Sequence, residues 1–320
     1  MKLTTLAVLL LACSSYARAQ VDGNTIYGND DRLDLSDVQS QAVLKLADST
    51  IALFAAPAVT IKDGKANLSL ESYGDRENLC PEEPFRDQLE GAFCSGSLVA
   101  PDIIMTAGHC VTSKDDCKKT KFVFGFSIAD KGGKTPTSVP AGEVYGCKKL
   151  LGRQQLEEGA DWALVKLDHK VKGHQPLKLN TSGTIVKGAP LFVIGHPSGL
   201  PTKVAGGAKV RDLKNGYFVA NLDTYGGNSG SAVFNAGTGL VEGILVRGDT
   251  DFVQKGKCMV SYRNPDDGGR GEDVTCVANV LARLPHAEEV AARVAPMALD
   301  IQAILDREAN AAASFDGGGK

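Results

Sequence analysis

A serine bracketed by glycines, Gly226-Gly227-Asn228-Ser229-Gly230, breaks the chain between the apolar runs Tyr217-Phe218-Val219-Ala220 and Ala232-Val233-Phe234. Glycines on both sides admit a tight, positive-φ backbone and let nearby N–H groups approach a bound carbonyl with no Cβ in the way. If Ser229 is a nucleophile, the N–H groups of Gly227 and Ser229 are the natural oxyanion donors. Alone, G-x-S-x-G says no more than that a turn joins two strands.

The remaining apolar segments repeat that pattern of short runs between turn residues. Thr50-Ile51-Ala52-Leu53-Phe54 reads as a strand, as do Phe93 to Val99 and Ile103 to Thr106, separated by Ala100-Pro101-Asp102. Phe122-Val123-Phe124, Val144-Tyr145, Leu191-Phe192-Val193-Ile194-Gly195 and Leu240 to Gly248 continue the series. Upstream, Ser36-Asp37-Val38-Gln39 reads as a capping box opening a helix through about Ala47. Residues 62–88, rich in Gly, Asp, Asn, Glu and Pro, read as a loop-rich insertion.

Two further boxes supply what a serine hydroxyl needs. Thr106-Ala107-Gly108-His109-Cys110 ends one apolar run, and Asp161-Trp162-Ala163-Leu164-Val165-Lys166-Leu167 opens another with a carboxylate. A hydroxyl attacks well only when a neutral imidazole takes its proton, and a buried carboxylate fixes that imidazole's tautomer. T-A-G-H-C, D-W-A-L-V-K-L and G-N-S-G-S, in that order, resemble the three catalytic boxes of the trypsin-like serine peptidases, with the bacterial V8-like, glutamyl endopeptidase branch nearest. The likeness runs from about Ile26 to Leu284.

The resemblance implies an all-β fold of two six-stranded antiparallel β-barrels, with an N-terminal helical extension and a C-terminal helix. It implies His109 as general base, Asp161 as its orienting carboxylate and Ser229 as nucleophile of a serine endopeptidase forming an acyl-enzyme. It places Cys94 and Cys110 in a bond behind the histidine loop, and Val246-Arg247-Gly248 along the edge that receives an extended peptide. The domain reading is 1–19 leader, 20–48 extension, 49–175 first barrel, 176–284 second barrel and 285–320 C-terminal helical segment and tail. An esterase of the α/β-hydrolase type has a different triad order, and a binding module on the same fold that has lost activity is the alternative.

Lys2, the run Leu6 to Ala12 and Ala17-Arg18-Ala19 form an export leader with a small-x-small cleavage site, which points to a secreted or periplasmic protein. Leu10-Leu11-Ala12-Cys13 also resembles a lipoprotein box, so membrane attachment is expected only if Cys13 is lipidated. A formal net charge of −3 with no basic run argues against a nucleic-acid partner. The expected partner is a protein or peptide substrate, the expected state a monomer, with no cofactor. No histidine stands at metal-ligand spacing, and His196, beside Pro197, reads as a solvated or locally bonded loop residue. Of the 8 cysteines, Cys258 and Cys276 bracket a polar loop and read as a pair, while Cys80, Cys117 and Cys147 have open pairings.

Specificity is divided on this reading. The resemblance places Asp223, six residues before Ser229 and followed by Thr224, at the base of the primary pocket, which favours a basic P1 side chain; the same Asp-Thr-Tyr-Gly-Gly run precedes the serine in glutamate-specific relatives, so Asp223 need not face the pocket. Arg247 favours an acidic one, or pairs with Asp223 and neutralises the pocket. A histidine that the glutamate-specific relatives carry is Leu245 here. Asn228, where animal relatives have aspartate, cannot form an ion pair with a freed α-amine.

Overall fold

The computed structural model describes residues 26–284; the leader, Cys13 and the helical segment expected within 285–320 lie outside the described residues. Six strands close the first barrel: β1 (Thr50–Ala55), β2 (Cys94–Ala100), β3 (Ile103–Thr106), β4 (Thr120–Val123), β5 (Val144–Gln155) and β6 (Asp161–Leu167). Their spatial order is β4-β5-β6-β3-β2-β1, and β1 pairs back onto β4 with Leu53 opposite Phe122. Six more close the second: β7 (Pro190–Gly195), β8 (Lys203–Leu213), β9 (Tyr217–Ala220), β10 (Ala232–Asn235), β11 (Val241–Arg247) and β12 (Glu272–Cys276). They run β7-β10-β11-β12-β9-β8, with β8 returning to β7. The two closed six-stranded antiparallel barrels are those expected from the sequence.

Alternation alone would leave one face of each strand wet, yet β6 is buried at every residue except Lys166. One face fills the first barrel and the other meets the second. A single apolar cluster accordingly runs from Leu98, Ile104 and Leu164 to Phe192, Phe234 and Ile244. The Phe192 and Phe234 rings stack with centroids 4.8 Å apart. Each such buried side chain contributes about 1.5–3 kcal/mol, and because the cluster crosses the junction it also fixes how the barrels meet.

The N-terminal segment is part of this packing. Arg32–Asp34 adds to the outer edge of β8, with Asp34 opposite Lys203. The helix α1 spans Gln41–Ala47 and starts four residues later than the capping-box reading. Ser40 is its cap, because Ser36 donates its N–H to Ile128 O, while Asp37 and Val38 donate theirs to Asp34 O and Leu35 O in a turn. The insertion also carries more structure than expected: Val59–Lys62 and Lys65–Leu68 form a hairpin whose turn sets Asp63 and Gly64 at positive φ.

One cysteine pairing expected from the sequence is corrected. Cys258 bonds to Cys80, 178 residues away, and Cys276 is a free thiol. The reason is a bridge between the barrels: Leu79 pairs with Met259 and Cys80 donates its N–H to Met259 O, which sets Cys80 across from Cys258. Cys276 instead ends β12 opposite Gly243, where burial and the nearby Glu242 push its thiol up to about 11, so it stays protonated. The other bonds are Cys94–Cys110 and Cys117–Cys147.

Candidate active site

β3 ends at Thr106 and lies beside β6, with Thr106 opposite Ala163, so the turn after β3 emerges next to the first residue of β6. That register brings His109 to Asp161. Asp161 is buried; its Oδ2 lies 2.8 Å from His109 Nδ1, and its Oδ1 accepts the N–H groups of Gly108 (2.5 Å) and His109 (3.2 Å). The Thr275 hydroxyl accepts Asp161 N–H and donates to Asp161 O. Two backbone N–H groups fix the carboxylate in place, and a carboxylate oxygen at Nδ1 takes the ring N–H there and leaves Nε2 as the acceptor. Gly108 has no substitute here, since a Cβ would lie 2.1 Å from Gln154 O.

The Cys94–Cys110 bond ties this turn to β2. Because it closes a short loop, its removal in a Cys94→Ala/Cys110→Ala variant should cost about 3 kcal/mol. Mild reduction should lower turnover before global unfolding, since the turn bearing His109 loosens first. Following activity and a melting curve together at each thiol concentration checks the order of events.

The serine loop is held from its backbone. Gly227 takes φ +86° and Gly230 φ +93°, values only glycine adopts without strain. A Cβ on Gly227 would press within 2.6 Å of Gly199 N. The carbonyl of Gly226 accepts from Ser198 N–H at 2.6 Å, that of Gly227 from the Ser95 hydroxyl at 2.8 Å and that of Ser229 from Ser95 N–H at 2.8 Å. With those carbonyls turned inward, the N–H groups of Gly227 and Ser229 have no acceptor among the described residues.

Ser95 was not singled out by the sequence reading. It is fully buried on β2, and its hydroxyl also accepts His196 N–H at 2.9 Å. A serine right after the cysteine of a strand gives no sequence signal, and its role becomes visible only once the second barrel packs on the first. Asn228 is buried with its Oδ1 accepting the Ser231 hydroxyl at 3.2 Å, so its amide is satisfied inside its own loop.

Ser229 opens on a cavity of about 410 Å³, and His109 and Asp161 line a second of about 520 Å³; Val246 and Arg247 border both. No hydrogen bond joins Ser229 Oγ to His109 among the described residues. Gly248 also lines the first cavity, whereas Asp223 and Thr224 do not. Asp223 is turned away: its carboxylate accepts Tyr27 N–H at 2.8 Å and Asp31 N–H at 2.9 Å. Burial and the nearby Asp30 hold it well above the usual carboxylate range. Thr224 donates its hydroxyl to Glu272. Arg247 pairs with Asp273 at 3.0 Å, not with Asp223, and its remaining donors go to Leu156 O and Gly159 O.

His196 is buried and not solvated. Its Nδ1 donates to Leu200 O at 2.9 Å, its ring stacks on Phe126, and Nε2 has no partner. Burial lowers it to about 4. A neutral imidazole that unfolds into one titrating near 6.5 contributes stability that is full above that value and is lost as the pH falls through 4, roughly 3 kcal/mol in all. Glu90 and Asp251, raised by burial to about 7 and about 6, act in the opposite sense. The difference in unfolding free energy between the wild type and His196→Gln, taken at pH 7 and pH 4, should therefore shrink in acid. A difference independent of pH would contradict it.

With this geometry in place, the chain can be set beside known proteins. Residues 94–244 match the family model of the trypsin-like peptidase domain. That stretch includes His109, Asp161 and Ser229 and ends within β11. The chain is 28% identical to secreted RxLR effector protein 73 of Plasmopara viticola over 45% of its length and 38% of that protein's. It is 29% identical to proproteinase E of Bos taurus over 34% of this chain and 45% of that one, and 25% identical to glutamyl endopeptidase of Bacillus licheniformis over 44% and 45%. Each likeness thus covers less than half of the relative. The trypsin-like match covers just under half of the chain, and the likeness to the glutamyl endopeptidase is one of several partial ones.

Proposed function

We propose that this chain is an exported serine endopeptidase that cleaves peptide bonds through an acyl-enzyme, with a basic residue preferred on the acyl side of the cut. The observation that carries the reading is the Asp161 carboxylate, buried, fed by two backbone N–H groups and 2.8 Å from His109 Nδ1. An imidazole so oriented is a general base in waiting, and the only hydroxyl that the trypsin-like pattern offers it is Ser229. In this scheme Ser229 Oγ attacks the carbonyl carbon while its proton passes to His109 Nε2. The carbonyl oxygen gathers charge against the N–H groups of Gly227 and Ser229. His109 then returns the proton to the leaving amine, and water repeats the sequence to release the acid.

The peptide would lie along β11, using the backbone of Val246, Arg247 and Gly248 as a neighbouring strand. Three disulfides among the described residues and a relative described as secreted support an extracellular setting. One observation favours a second reading, a binding module without turnover: Ser229 Oγ and His109 share no hydrogen bond. Such bonds are often long in a free enzyme and tighten on substrate. A fluorophosphonate probe separates the two, because it bonds only to an activated serine whatever the substrate. Labelling at Ser229 is expected. Unlabelled, folded protein would mean that the binding module is right.

A further inference from the structure

Three carboxylates and a single cation line the cavity on which Ser229 opens. Glu272 at the start of β12 and Asp251 on the loop after β11 both line it, as does Asp249. The one cation on its wall, Arg247, is already committed to Asp273 and to two carbonyls, all outside the cavity's lining. Glu272 is buried, with Oε2 accepting the Thr224 hydroxyl at 2.8 Å and Oε1 3.5 Å from the Tyr27 hydroxyl. Asp251 accepts Gly226 N–H at 2.8 Å. Neither carboxylate has a cation within ion-pair distance among the described residues.

The wall is also built to make room for Glu272. A Cβ on Gly248 would stand 2.1 Å from Glu272 Oε2, in the space the carboxylate fills. Tyr225, Leu245, Phe252 and Met259 add apolar and aromatic surface to the lining that suits an alkyl stem. A buried carboxylate without a counter-charge is costly, and a cation delivered beside it recovers much of that cost. An acidic side chain would meet three carboxylates.

We infer that Glu272, supported by Asp251, is the group that selects a lysine or arginine side chain of the substrate, and that Asp223 has no part in it. The inference deepens the proposed function, resting on Ser229 as the nucleophile whose cavity this is, and names a determinant that the position of Asp223 in the sequence concealed. Tyr27 and Thr224 position Glu272 through their hydroxyls.

Benzamidine, a flat aromatic cation, tests the pocket without chemistry when titrated into Ser229→Ala by calorimetry. Binding is expected, and Glu272→Gln in the same background should weaken it roughly 30-fold or more. Asp251→Asn should weaken it less, and Gly248→Ala should weaken it by displacing the Glu272 carboxylate. Should Glu272→Gln fail to fold, as judged by its melt, the other two variants carry the test. No binding to Ser229→Ala, or affinity untouched in the folded variants, would overturn the assignment. Failure of the proposed function has a different signature: wild-type protein that binds benzamidine yet resists the fluorophosphonate.

Discussion

Ser229→Ala should lower turnover of a peptide substrate by about 10⁶-fold, while the melting curve stays within about 0.5 kcal/mol of the wild type. The asymmetry follows from how the loop is held. Its anchors are backbone groups: Ser229 O on Ser95 N–H, Gly226 O on Ser198 N–H and Gly230 N–H on Leu245 O. None involves the Ser229 hydroxyl, so alanine removes the attacking oxygen and no support. His109→Ala should cost a similar factor, and the double variant little beyond either single one, since nucleophile and base act in one step. Single-turnover kinetics on the three variants measures this directly. Additive losses, or a Ser229→Ala enzyme that still turns over peptides, would remove the acyl-enzyme scheme.

Asp161→Asn should reduce kcat/KM by about 10⁴ with little change in fold. The carboxylate's two oxygens face different donors: Oδ1 takes the N–H groups of Gly108 and His109, and Oδ2 faces His109 Nδ1. An asparagine must keep its oxygen toward the two backbone N–H groups, which turns its NH₂ toward Nδ1. Nδ1 then has to accept, the ring proton moves to Nε2, and Nε2 can no longer take the proton of Ser229. The loss is one of tautomer. Nitrogen-15 chemical shifts of the His109 ring, compared between wild type and variant, read it independently of rate; an unchanged tautomer beside a full loss of activity would demand another cause.

What the sequence disclosed and what it hid divide along sequence distance. Strands such as Ile103–Thr106 and Asp161–Leu167 declare themselves because their apolar runs end at polar or glycine-rich turns, and the three boxes stand on such strands or in the turns beside them. The strands follow from such local signals, whereas the two barrels were legible only through the family resemblance that the boxes carry. Asp223 misled because its partners, Tyr27 N–H and Asp31 N–H, come from a segment nearly 200 residues upstream. Cys258 misled in the same way, since the nearer Cys276 is separated from it by the sheet while Cys80 is carried across between barrels. Glu272 was passed over because nothing adjacent to it signals chemistry; its neighbours in the cavity are drawn from β11 and the loops around it.

The strand Arg32–Asp34 has a consequence for the order in which the molecule can be assembled. It is completed only by β8, where the buried Lys203 ammonium lies 2.5 Å from Asp34. A chain made from its N-terminus therefore carries an unmatched edge through some 170 residues of synthesis. Closing so long a loop is slow compared with local pairing. This early segment thus waits for β8, and the second barrel cannot acquire its outer strand until nearly two-thirds of the chain exists. The cleft on Ser229 takes shape later still, since Ser229 and Glu272, on its wall, both follow β8 in the chain.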